Sequence, residues 1–293
     1  MSKKNQGILC ILSAAFFFAL MNLFVRLSGD LPTVQKSFFR NFIAAILAFI
    51  MLTRSPQKVT LTKENIKDLL MRSTAGTVGI LCNFYAVDHL NIADASMLNK
   101  LSPFFAIIFS IFLLKEIATR FEWLMLIIAF IGAMFVAKPK FELSSLPALI
   151  GLIGGVGAGL AYTYVRKLGT HGIKGPVIVF FFSCFSCVVT LPSLLLHYTP
   201  MTMRQLLTLL LAGCAAAGGQ VSITAAYTKA PASEISVFDY SQILFAAILG
   251  FLFLRQVPDT LSIIGYVIII SAAIAKWYHT NHPHIFFGSP DND

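Results

Sequence analysis

Residues 93–116 read ADASMLNKLSPFFAIIFSIFLLKE, and 140 positions further on residues 233–256 read SEISVFDYSQILFAAILGFLFLRQ. Aligned without a gap, Asp94 falls on Glu234, Ser96 on Ser236, Phe105-Ala106 on Phe245-Ala246 and Leu114-Lys115 on Leu254-Arg255. The same shift lays Leu20 on Leu160, Val25-Arg26 on Val165-Arg166, Gly79 on Gly219 and Ala86 on Ala226. One offset that holds across most of both halves marks an internal repeat.

Both copies are strongly apolar, and so is the chain. Of 293 residues, 57% are hydrophobic and 12% charged, with a mean hydropathy of +0.79. A soluble domain carries about 25% charged residues. A water-soluble globule, a disordered chain and a nucleic-acid module built on the net charge of +9 are therefore excluded. A crossing helix needs about 20 apolar residues. Ten such runs fit: 7–28, 34–53, 68–87, 93–114, 121–138, 145–165, 175–196, 206–227, 232–254 and 259–278. They leave no room for a soluble catalytic domain. The first run is too long for a signal-peptide core and reads as a retained span. Breakers such as Asp30-Leu31-Pro32, Ser55-Pro56 and Lys138-Pro139 separate the runs, and Thr62 is placed to cap a lead-in to the third.

With a cytoplasmic N-terminus, fourteen Lys and Arg fall in cytoplasmic connections, Arg72 and Lys276 among them, and six on the other side. The positive-inside rule then puts both termini in the cytoplasm. Each half, 1–140 and 141–280, holds five spans, with 281–293 as a cytoplasmic tail. An odd number per half means that the copies cross in opposite senses. Inverted repeats suit alternating access, because two similar halves can exchange conformations. The expected fold is an all-α integral membrane protein of ten transmembrane helices in two inverted five-helix repeats.

The chain resembles the drug/metabolite transporter superfamily, in particular its EamA-type members. The likeness rests on residues 19–26, on Phe39-Arg40-Asn41-Phe42, and on the stretch from Ala93-Asp94-Ala95-Ser96 through Leu101-Ser102-Pro103-Phe104-Phe105-Ala106 to Leu113-Leu114-Lys115-Glu116. The second copy departs at Ile243, opposite Pro103, and at Gln256, opposite Glu116. The resemblance implies the ten-span fold and transport of a small metabolite, commonly outward, in a bacterial inner membrane. It does not name the substrate, which across such proteins includes amino acids, sugars, nucleotide derivatives and organic ions.

An ionisable side chain deep in a span costs about 2.5–3.5 kcal/mol on insertion scales and usually faces a cavity or a partner. Arg40 and Lys100 lie about 10 Å in from the outer ends of their spans, and Asp239 lies similarly deep from the inner end of span nine. Two cations in the outer half of a central cavity and one anion in the inner half favour a carboxylate-bearing solute. A structural ion pair among them is the competing reading. Asp239 is the one deep carboxylate and thus the candidate proton carrier. Asn83, Asn99 and Gln220 join this set as substrate-binding candidates, with 83, 220 and 222 expected to cluster if spans three and eight face each other. Helix–helix glue is the bland alternative for each. Tyr85, Tyr162, Phe238 and Phe16 to Phe18 are candidates for a cavity wall.

Gly151, Gly155 and Gly159 form GxxxG spacings, with Gly154 and Gly157 between, and read as close helix packing rather than a phosphate loop. Pro103 and Pro192 are expected to interrupt their spans. Five cysteines, all in apolar runs, argue against disulfides, and Cys184 and Cys187 lack a second ligand pair for a metal. His279, His282 and His284 offer only an adventitious metal tail. No cofactor, catalytic group or ATP-binding motif is expected. The partners are the lipid bilayer and a small-molecule substrate, not nucleic acid, with the protein a monomer or homodimer. The function expected is secondary active export of an amino acid or carboxylate-like solute. Export of organic cations or drugs, and a non-transporting membrane scaffold, are the alternatives.

Overall fold

The computed structural model describes residues 2–54, 62–89, 97–138, 146–255 and 257–282. Ser55-Pro56, Asp94 and its neighbours to Ser96, Pro139, the 140/141 boundary, Gln256 and His284 lie outside the described residues.

The described residues are helical and contain no strand. The helices are α1 (Lys3–Leu27), α2 (Thr33–Thr53), α3 (Lys63–His89), α4 (Ser102–Leu114), α5 (Arg120–Ala137), α6 (Leu146–Thr170), α7 (Gly175–Leu196), α8 (Met203–Lys229), the short α9 (Ala232–Ile235), α10 (Ser241–Leu254) and α11 (Thr260–Asn281). Nine stretches among the described residues are long and apolar enough to cross a membrane. At 27 residues α3 adds a tenth helix of crossing length, whose first turns carry Lys63, Glu64, Lys67, Asp68 and Arg72.

Local chemistry sets the ends. Ser2 caps α1 through the Asn5 amide, and Thr62 receives the Asn65 amide at 3.2 Å, as its position before α3 suggests. Thr119 with Glu122 and Thr202 with Gln205 form capping boxes at α5 and α8. Two crossings are broken. Met97–Leu114 contains a turn at Lys100 and Leu101 before α4 begins, and Ala232–Leu254 passes through a 3-10 segment, Ser236–Tyr240, before α10. The breaks stand at the same place under the 140-residue shift. So do the left-handed residues that close α4 and α10: Lys115 (φ 54°) bonds back to Ser110, and Arg255 (φ 55°) to Gly250. Pro103 thus sits in the first turn of a new helix, where a missing N–H costs nothing, and does not interrupt one. Pro192 does lie inside α7.

The two halves interlock. α1 packs chiefly on α8 and α3 on α6; α2 packs on α7, α5 on α11, α4 on α6 and α10 on α1. Shifted by 140 residues, each pairing maps onto another in the set or onto itself. Glycines set the closest approaches. A Cβ on Gly155 would stand 2.6 Å from the Leu98 carbonyl oxygen, and one on Gly159 2.5 Å from the Phe105 Cβ, so Gly151, Gly155 and Gly159 face the broken crossing before and along α4. Gly154 and Gly157 face the α3 backbone around Gly79 and Asn83 instead. The five glycines therefore serve two helix contacts, where no side chain fits between backbones.

Candidate functional site

The start of α1 and the end of α11 sit together at one end of the bundle, where the Asn5 side-chain amide donates to Asn281 Oδ1 at 2.9 Å. Ion pairs between the halves gather there. Lys4 meets Glu234 at 2.7 Å, Arg166 meets Glu116 at 2.7 Å, and Lys167 meets Asp68 at 3.0 Å and Glu64 at 3.7 Å. Arg166 also donates to the Tyr227 and Thr228 carbonyls, tying α6 to the end of α8. Deeper in, Lys276 of α11 donates to Glu122 of α5 at 2.7 Å, with 2% and 6% of each residue exposed. At the opposite end Lys138 pairs with Asp259, both well exposed, and Gln35 exchanges two bonds with the Thr199 backbone. The terminal end is thus the more tightly closed.

Glu64, Asp68 and His171 are near enough to share a cation among the described residues. The Lys167 ammonium lies against both carboxylates and fills that role.

Midway through the bundle the two broken crossings meet. Lys100 Nζ donates to Asp239 Oδ2 at 2.9 Å, to the Asp239 carbonyl at 3.3 Å and to Gln242 Oε1 at 2.8 Å. Tyr240 Oη returns a bond to the Lys100 carbonyl at 2.8 Å. Positions 100 and 240 are repeat equivalents, so each half grips the other at its own helix break. The expectation that Lys100 and Asp239 line opposite halves of a cavity does not hold in this arrangement: they touch at one depth, because both breaks fall at the same level. At the break the Asp239 carbonyl accepts from both the Ser241 amide and the lysine.

Arg40 is different. It sits on α2 with 8% of its surface exposed, makes no hydrogen bond or ion pair among the described residues, and leaves its Nε without an acceptor. A second arginine, which sequence reasoning placed in a cytoplasmic connection, joins it. Arg72 is 2% exposed; its Nη2 donates to Gln220 Oε1 at 3.2 Å, and its guanidinium lies 3.7 Å from the centre of the Phe182 ring. Its Nε also has no acceptor. The apolar run at 68 suggested an interfacial arginine, but α3 starts at Lys63, so Arg72 stands nine residues, about 13 Å, along the helix. The available signal was Gly76 one turn deeper. With no Cβ there, the guanidinium lies over the glycine and points into the bundle rather than back toward water.

Tyr162 of α6 lies within electrostatic reach of Arg40, Arg72 and Asp239 and stacks on Tyr227 at 4.9 Å. Arg40 and Arg72 are within reach of each other. Ser73, Thr77 and Thr224, all buried, carry hydroxyl oxygens with no partner among the described residues. The result is a polar interior bounded by α2, α3, α6, α7 and α8 that holds two positive charges.

The remaining candidates divide. Gln220 belongs to this site through Arg72. Asn83 packs against Gly154, about 16 Å along α3 from Arg72, so it does not cluster with Gln220. Asn99 is half-buried beside Lys100. Phe16 and Tyr85 are exposed, pairing with Phe245 and His89 respectively. Tyr162 remains as a wall residue of the arginine site.

Comparison with known proteins agrees with this architecture. The model of the EamA-like transporter family matches residues 5–138 and 145–275. The pseudopaline exporter CntI of Pseudomonas aeruginosa is 34% identical over 276 residues, covering 92% of this chain and 95% of its own. The riboflavin transporter of Vibrio cholerae is 26% identical, covering 93% of each chain, and human solute carrier family 35 member G1 is 25% identical, covering 94% and 80%. One solved crystal structure shares the fold with a TM-score of 0.79 at 12% identity, covering 92% of this chain and 98% of that one. The chain belongs to the EamA-like transporter family and is a multi-pass membrane transporter of small molecules rather than an enzyme.

Proposed function

We propose that the protein is a secondary active exporter that moves a small carboxylate-bearing metabolite by alternating access of two inverted halves, 1–140 and 141–280. The observation that carries this reading is the pair of buried guanidiniums, Arg40 and Arg72, with no carboxylate of the described residues against either. A buried charge is costly unless paired, and an anionic solute supplies the pairing. Organic cations are the less favoured cargo, because Asp239, the carboxylate that would receive them, is already held by Lys100. The matched helix breaks and the pairing of each helix with the other half support the inverted repeat. The ion pairs at the terminal end support a state closed there and reached from the opposite side. The Lys and Arg distribution supports cytoplasmic termini in a bacterial inner membrane, as does the likeness to a bacterial exporter.

Reconstituted into liposomes, the protein is expected to exchange labelled carboxylates or amino acids, and Arg40→Gln to lower that exchange roughly 10-fold or more, the loss of one charge-assisted bond. Unchanged exchange in Arg40→Gln, with neutral solutes carried equally well, sinks the reading. With no ATP-binding motif in the sequence, the driving force is a gradient, and Asp239 is the proposed proton carrier. Asp239→Asn should then flatten the dependence of transport on pH; a wild-type rate already independent of pH removes the proton from the cycle.

A further inference from the structure

Resting on the reading of an anionic cargo, we infer that the solute carries two separate carboxylates, one for Arg40 and one for Arg72. Every buried carboxylate among the described residues is already committed: Asp68 to Lys167, Glu122 to Lys276, and Asp239 to Lys100. Asp68 lies one helical turn before Arg72, the spacing at which an acid and a base normally pair, and it is turned instead to α6. No carboxylate of the described residues is left to balance the two guanidiniums.

Arg40 projects from α2 and Arg72 from α3, and in each the Nε is without an acceptor. The Nε–Nη edge of a guanidinium is a fork that matches one carboxylate through two parallel bonds. Two guanidiniums on two helices, each with an unpartnered Nε, therefore call for two carboxylates. Arg72 is held in place by the Phe182 ring and Gln220, so its plane is set before the ligand arrives. A monoanion would leave one buried charge unbalanced in a site shut off from water, where that is expensive. Further oxygens or amines on the solute find Ser73, Thr77 and Thr224, whose hydroxyl oxygens are unengaged.

The test measures binding to the purified full-length protein in lipid nanodiscs by calorimetry. The probes are C4 to C8 dicarboxylates and acidic amino acids, the monomethyl ester of each, and glycerol 3-phosphate as a single dianionic group. At least one diacid is expected to bind roughly 10-fold or more tighter than its own monoester. In Arg72→Gln that preference should shrink to less than about two-fold while the monoester still binds, since Arg40 remains for one carboxylate. Arg40→Gln should do the same, and Arg72→Lys, which keeps the charge but not the fork, should fall between. Circular dichroism and a monodisperse elution profile certify each variant as folded. Equal binding of diacids and monoesters, abolished in the double Arg40→Gln/Arg72→Gln variant, overturns this inference and leaves the anionic cargo standing. Glycerol 3-phosphate binding more tightly than every diacid overturns it in favour of one dianionic group. Binding confined to neutral or cationic solutes, or to none of the panel, overturns both readings.

Discussion

Lys276→Met is expected to cost about 3–5 kcal/mol, among the most damaging single charge deletions in the chain. The lysine is 2% exposed and donates at 2.7 Å to Glu122 Oε1, while Glu122 Oε2 accepts from the Thr119 amide at 2.7 Å. Removing the ammonium leaves a carboxylate enclosed between α5 and α11 with only its capping bond. The exposed Lys138–Asp259 pair at the other end gives the contrast: losing it should change stability little, as for other surface pairs. Thermal unfolding in detergent, followed by circular dichroism, checks both. The double variant Lys276→Met/Glu122→Leu should recover most of the loss, because an apolar pair of similar volume replaces a buried ion pair at little or no cost. A double variant as unstable as Lys276→Met alone would show that packing, not the stranded charge, is responsible.

The second large effect is expected at Gly159. A Cβ there would stand 2.5 Å from the Phe105 Cβ and 2.8 Å from both the Ala106 nitrogen and the Ser102 carbonyl oxygen. Two of those atoms are backbone, so no rotamer change relieves the clash. Gly159→Leu must push α6 away from α4, and overpacking of this kind costs about 1–3 kcal/mol, sometimes more. The displacement also reaches the proposed cargo site, since Tyr162 lies one turn further along α6. Gly172 serves as the control for placement. Nothing lies within 4 Å of a Cβ there, although its positive φ of 77° adds some strain of its own. Melting temperatures and solute exchange should both fall in Gly159→Leu. An exchange rate left at the wild-type level would mean that the α4–α6 contact does not constrain the site.

How far the sequence could be read differs by feature. The apolar runs located the crossings to within a few residues, because hydrocarbon thickness imposes a length that any sequence must meet. The small-residue spacing of Gly151, Gly155 and Gly159 identified a close contact, though not that Gly154 and Gly157 serve a different one. Arg40 was legible as a deep charge with no local partner. Arg72 was not, because hydropathy sees where a run becomes apolar and not where the helix begins.

Composition and periodicity by themselves determined the class of the molecule, an all-helical membrane protein, and roughly where its apolar helices run. These follow from the hydrophobic effect and from backbone hydrogen bonding, which act on each segment alone. Which charges cancel and which remain was decided only by tertiary structure. Lys100 and Asp239, 139 residues apart, neutralise each other at the junction of two helix breaks, while Asp68 passes over Arg72 for Lys167. Coulomb energies depend on distance and burial, and neither is written in the order of the residues. The packing of the helices therefore left two arginines, one of them assigned by the sequence to a cytoplasmic connection, buried with no carboxylate partner among the described residues.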